Sequence, residues 1–150
     1  MLRIRAEQIR PFEQDAQKAF VNRVMNYLRE NHPGEIVRFR GTQTTVRELA
    51  EANLRLLVEN GVARAKSYGM TWKSALISFV VMMFIVAPNF DCHAYAAGVL
   101  RDENIPADRR LEIITEKVTD ADWEKFKQSY NEKDWERVVA PASGIGGASK

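Results

Sequence analysis

The densest run of potentially reactive side chains is Asn89, Asp91, Cys92 and His93. Asp, Cys and His are metal-ligand types, and a cysteine beside a histidine has the parts of a nucleophile and its base. Adjacent residues in one turn point in different directions, however, and the other histidine, His32, is remote in sequence. A zinc site draws on about three or four protein ligands, and no spaced Cys/His set is present to supply them. The run reads as a turn with Asp91 as a helix cap. An enzyme or toxin reading would have to use the Asp91–His93 turn. No glycine loop stands between a strand and a helix to cradle phosphate. Glu112 and Glu116 lie one helical turn apart among other charges, as on a solvated face. No catalytic, cofactor or metal site is expected.

Contact chemistry is better represented. Trp123, Tyr130 and Trp135 bring rigid aromatic area to the last third of the chain, the kind of surface that concentrates binding energy. Trp135 is the leading candidate anchor, since it follows the last core-like spacing and precedes the tail PASGIGGASK. Arg38, Phe39 and Arg40 alternate basic and aromatic character and complete the expected partner-binding set. With Arg3, Arg5 and Arg10 they resemble a nucleic-acid patch, but Glu7, Glu13 and Glu35 lie among them and no helix-turn-helix signature appears. A protein partner is expected, with no nucleic acid and no membrane.

The elements that must position these residues are helical. Trp72, Ala75, Leu76, Phe79, Val80, Met83, Val86 and Ala87 recur at helical spacing, and Ile77, Val81, Phe84 and Ile85 fill the other side. A helix apolar all round must be enclosed, and this run is shorter than the roughly 20 residues that cross a bilayer. It reads as a buried central helix, about residues 72–87, capped by Thr71. A first helix from about Glu7 to Glu30 carries Ile9, Phe12, Ala16, Ala19, Phe20, Val24, Tyr27 and Leu28 on one stripe. Its regular part should start near Pro11, and Pro33-Gly34 end it. Residues 35–44 are expected as loop, because one short strand has nothing evident to pair with. Thr45-Val46-Arg47-Glu48 has the form of a capping box opening a second helix, which should pass unbroken through Gly61 to Tyr68 and stop at Gly69.

Three further short helices follow. One is capped by Asp91 and turns Tyr95, Val99 and Leu100 inward. One opens at Pro106, with Leu111, Ile114 and Val118 on one face. The third is capped by Thr119 or Asp120 and carries Trp123 and Phe126. Asp134-Trp135 begins a final turn. The expected fold is all-α: a single compact domain of about six helices over residues 1–139, then a disordered tail, 140–150.

The totals set limits. The 150 residues carry a net charge of +2, too small to argue for a polyanionic partner. The charge is uneven: Lys and Arg outnumber Asp and Glu 13 to 8 over residues 1–87, and are outnumbered 12 to 9 over 88–150. With Cys92 as the one cysteine, no disulfide forms within the chain, which suits a reducing compartment. The N-terminal residues lack the apolar run of a signal peptide, so a cytoplasmic location is expected.

Three segments carry a resemblance. They are Ile4, Glu7 and Gln8; Gly61, Arg64, Ala65, Tyr68 and Gly69; and Met83, Phe84, Pro88, Phe90 and Asp91. Over residues 4–102 the chain resembles small helical accessory proteins encoded in type VI secretion gene clusters, beside spike and effector genes. It departs from them at Pro11, around Arg38 to Thr44, and in its C-terminal third. The resemblance brings no catalytic residues. It implies a non-enzymatic adaptor or chaperone that binds a secreted effector or a spike protein, or else an immunity protein that neutralises a toxin acting in the cytoplasm. A small enzyme or toxin and a DNA-binding regulator are the weaker alternatives.

Overall fold

A computed structural model describes residues 6–137, with side chains from Asp15 onward. The expected tail, the boundary at 139, and the side chains of Arg3, Arg5, Arg10, Pro11, Ile9 and Phe12 lie outside the described residues. Helix α1 (Ala6–Asn31) leads into two strands, β1 (Ile36–Phe39) and β2 (Thr42–Thr45). Then come α2 (Glu51–Ser67), α3 (Lys73–Ile85), α4 (Ala94–Leu100), α5 (Arg110–Lys117) and α6 (Asp120–Gln128). Short 3-10 turns lie at Phe90–Cys92, Ala107–Arg109 and Glu132–Glu136. The described residues thus form six α-helices and a two-stranded sheet, a mostly helical fold that is not strictly all-α.

The sheet corrects the loop expected over 35–44. Val37 and Phe39 are buried while Ile36 and Arg38 face out, the alternation of a half-buried strand. Its partner is the polar run Thr42–Thr45, paired antiparallel with Phe39 opposite Thr42 and Ile36 opposite Thr45. Arg40 and Gly41 both take positive φ, 53° and 80°, as a tight two-residue hairpin requires.

The same hairpin displaces the expected start of α2. The Val46 and Arg47 amides donate to the carbonyls of Glu35 and Pro33, prolonging the hairpin. Thr45 Oγ1 still accepts from the Glu48 amide at 3.3 Å, but as a turn. Helix α2 begins six residues later, at Glu51.

Helix α2 runs unbroken through Gly61. A Cβ there would stand 3.0 Å from Val80 Cγ2 and 3.1 Å from Met83 Sδ, so the glycine is what lets α2 and α3 approach. Gly69, at φ 95°, closes the helix. The Met70 amide reaches Ala65 O and the Gly69 amide reaches Lys66 O, a Schellman ending.

In α3 the residues Leu76, Phe79, Val80, Met83 and Phe84 are buried, and Ile77, Val81 and Ile85 are partly covered. Thr71 does not cap it: Trp72 stands at the N-cap position and no side chain accepts from the first helical amides. Asp108, from the turn before α5, accepts from the Thr71 and Trp72 amides at 2.7 and 2.8 Å and from the Thr71 hydroxyl at 3.0 Å. Trp72 is thereby held outside the core, 49% exposed. Tyr95 on α4 is likewise exposed rather than inward. On α1 the buried face is Phe20, Val21, Val24, Met25 and Leu28, rotated from the expected stripe, so that Ala16, Ala19 and Tyr27 face out. Thr119 caps α6 in a full capping box with Asp122.

Replacing Gly61 with valine should cost about 1–3 kcal/mol, the usual penalty for overpacking a filled core. Urea unfolding would read it, and an unchanged midpoint would show that α2 and α3 can separate without loss.

Candidate interaction surface

Five of the six expected contact residues do meet in space, but they meet each other. Trp135 is fully buried, its ring 4.7 Å from that of Phe84. Its indole Nε1 donates to Arg38 O at 3.0 Å and to the Tyr130 hydroxyl at 2.9 Å. The Tyr130 hydroxyl also accepts from the Arg38 amide. The Arg38 guanidinium lies over the Tyr130 ring, and Arg40 grips Glu136 through two hydrogen bonds, at 2.7 and 3.2 Å. Phe39 is buried beneath Arg40. Trp135 is therefore core and not an exposed anchor. The last described turn folds back over the hairpin, whose Arg38 carbonyl supplies the acceptor a buried indole needs. A tryptophan just before the tail gives no sign of this, because the carbonyl that accepts from it, that of Arg38, lies nearly a hundred residues earlier.

Asp91 is also recast. It caps no helix. It sits buried in the 3-10 turn after α3 and gathers cations and a hydroxyl from two distant segments. Arg137 Nη2 approaches Asp91 Oδ1 at 2.6 Å, Arg64 Nη1 lies 3.5 Å from the same oxygen, and the Tyr68 hydroxyl donates to Oδ2 at 2.7 Å. Arg64 also donates to Pro88 O at 2.5 Å and to the Asp134 carbonyl.

The electrostatics follow from this geometry. Burial raises the Tyr68 pKa, and the Asp91 charge raises it further. Burial opposes the Arg137 charge, but the hydrogen bond and attraction of Asp91 outweigh it and hold the pKa above the ordinary value. For Arg64 burial prevails and the pKa falls despite Asp91.

The neighbours of Asp91 do not assemble into a nucleophile and base. Burial and Asp91 raise the Cys92 thiol pKa, away from thiolate. His93 stacks on Phe126 with ring centres 3.9 Å apart, and burial lowers its pKa. Asn89 instead ties the α6–turn connection, donating to Ser129 O and accepting from the Asn131 amide. Among the described residues no group of three or more His, Cys, Asp or Glu converges to hold a metal ion. No described helix is long and apolar enough to cross a membrane.

The concave surface lies elsewhere, along the open side of α3. A cavity of about 340 Å³ is lined by Tyr27, Trp72, Ile77, Ser78, Val81 and Leu111, among others. A second, of about 700 Å³, is bordered by His32, Ile85, Val86 and Trp123. Both include Met82 and Thr115, so they form one groove between the end of α1 and the α5–α6 side. Trp123 is the one expected contact residue in it. The sequence signal for this groove was the apolar second side of α3, where Ile77, Val81 and Ile85 are only partly covered.

Two tests follow from these placements. Asp91→Ala leaves two guanidinium groups without their carboxylate and should cost about 3–5 kcal/mol, as for other broken buried pairs; Trp135→Ala should cost about 3–5 kcal/mol, like other large core truncations. Urea unfolding measures both, and a near-neutral result for either would remove that residue from the core.

His93 adds a pH dependence. Its folded pKa is below the usual 6.5, so its contribution is present above pH 6.5 and is lost as pH falls through the folded value. Melting temperatures of wild type and His93→Gln between about pH 5 and 8 should show a shallower acid loss in the variant. Parallel curves would rule His93 out as the source.

In comparisons with protein-family models, with curated proteins and with solved structures, nothing matches this chain.

Proposed function

We propose that this chain is a non-enzymatic protein-interaction module. In this reading it is a cytoplasmic adaptor or chaperone that binds a type VI secretion effector or spike protein, with one folded domain over residues 1–139. The observation that carries the binding reading is the open groove along α3. Along it Ile77, Val81 and Ile85 are only partly covered and Ser74 and Ser78 are exposed, so partly accessible apolar surface is offered in a concave setting that suits a partner. Trp72 and Tyr27 stand in its wall at 49% and 42% exposure, residue types that dominate binding energy when a partner desolvates them. The secretion context rests on the resemblance alone. The engagement of Asp91 by Arg64, Arg137 and Tyr68, and the raised Cys92 pKa, favour this reading over a small enzyme or toxin.

Co-purification of the tagged chain from its native cells tests the reading. One effector or spike protein at stoichiometric yield is expected; recovery of the chain alone would overturn it. Adding the complex to an assay of the effector's toxicity separates the roles. An adaptor leaves the toxin active and changes its solubility or delivery, whereas an immunity protein abolishes the activity.

A further inference from the structure

Resting on the interaction-module reading, we propose that the groove along α3 receives a basic amphipathic helix of about three turns from the partner protein. The floor residues recur as Ser74–Ala75, Ile77–Ser78, Val81–Met82 and Ile85–Val86. That is the single stripe of a helix of 3.6-residue period; Ser74 and Ser78 are exposed, Ile77, Val81 and Ile85 are partly covered, and Ala75, Met82 and Val86 are buried. From Ser74 to Ile85 the floor is about 17 Å long at 1.5 Å per residue, which sets the length of the occupant.

The occupant is helical for a physical reason. An extended peptide lying on this floor would bring its N–H and C=O groups against Ile, Val and Met side chains that cannot pair with them, a large desolvation cost. A helix pairs its own backbone and completes a bundle with the helices on either side. Ser74 and Ser78 are small and exposed, so a helix axis can come close over them.

Charge selects the flanks of that helix. The groove lining includes five carboxylates, those of Glu35, Asp108, Glu112, Asp120 and Glu124. Against them stand Lys127 in the lining and Arg109, which lies over the Trp72 ring. Glu112 and Glu124 are partly offset by these two cations, at 3.4 and 3.6 Å. The remaining excess is negative, and it complements Lys or Arg on either side of an apolar stripe.

The probe is a fluorescein-labelled peptide of about 14 residues, with Leu at i, i+3, i+4 and i+7 and Lys on the flanks. A Glu-for-Lys counterpart and a permuted peptide of the same composition serve as controls. Fluorescence anisotropy should show saturable binding of the Lys peptide, at least about tenfold tighter than either control at low salt, with the preference over the Glu peptide shrinking as salt is raised.

Ser78→Arg plants a long cation on the exposed middle of the floor and should weaken the Lys peptide by at least about tenfold while leaving the melting temperature unchanged. Glu112→Lys with Glu124→Lys should erase the preference for Lys over Glu flanks. Absence of saturable binding, equal affinity for the Lys and Glu peptides, or indifference to Ser78→Arg would overturn the proposal. A concentration-dependent dimer abolished by Ser78→Arg would assign the groove to a second copy and also overturn it. Co-purification with the Ser78→Arg chain keeps the two readings apart. A stoichiometric partner retained by the variant sinks the groove assignment but not the interaction module. A chain that comes alone while the Lys peptide binds sinks the effector reading but not the groove.

Discussion

The buried carboxylate of Asp91 is the point on which the rest of the structure depends. A lone charge removed from water is costly, and the chain meets that cost by bringing Arg64 from α2, Tyr68 from the end of that helix and Arg137 from the end of the last 3-10 turn to one residue. Because these donors lie on segments far apart in sequence, satisfying one carboxylate fixes where α2 sits against the turn after α3. It also fixes where the last described turn must return. Arg64 reinforces the arrangement by gripping the Pro88 and Asp134 carbonyls, one on each side.

A second regularity runs through the short helices of the C-terminal half. The end of α4 and the last 3-10 turn are held by side chains from other elements, whereas α6 is capped locally by Thr119. Asp108 holds the start of α3, and Arg110 collects the carbonyls of Tyr68, Leu100 and Ile105. Asn60 donates to the Trp135 carbonyl. Every helix end leaves unpaired backbone groups, and a helix of two turns has few other resources. Distant capping thus does for these elements what length does for α1 and α2. It couples their stability to the whole assembly rather than to local sequence.

Enclosure of α3 is the counterpart of this polar scaffolding. Helix α2 packs closely through Gly61, and the hairpin with its Trp135 plug covers Phe84. The remaining side, with Ser78 exposed and Ile77 and Val81 partly covered, borders the concave surface.

Local chemistry in the sequence determined much of this. The apolar run of α3, the glycine passage in α2, the Schellman ending at Gly69 and the Thr119 cap are set by neighbours within a few residues, so periodicity and capping rules read them directly. The tertiary structure alone decided the rest. Thr42–Thr45 is too polar to signal a strand, and it becomes one only when Val37 and Phe39 dock on the helices and offer a partner. Thr45–Glu48 looks like a helix start until the hairpin claims the Val46 and Arg47 amides. Trp135 looks like a surface anchor until Arg38 and Tyr130 arrive to satisfy its indole. Asp91 looks like a cap until two arginines and a tyrosine surround it. For Asp91, and for the bond from Trp135 to the Arg38 carbonyl, the deciding partner lies too far along the chain for any local rule to pair it, and only folding brings the two groups within hydrogen-bond distance. The groove belongs to the same class, because which stripe of α3 stays only partly covered depends on where its neighbours are held.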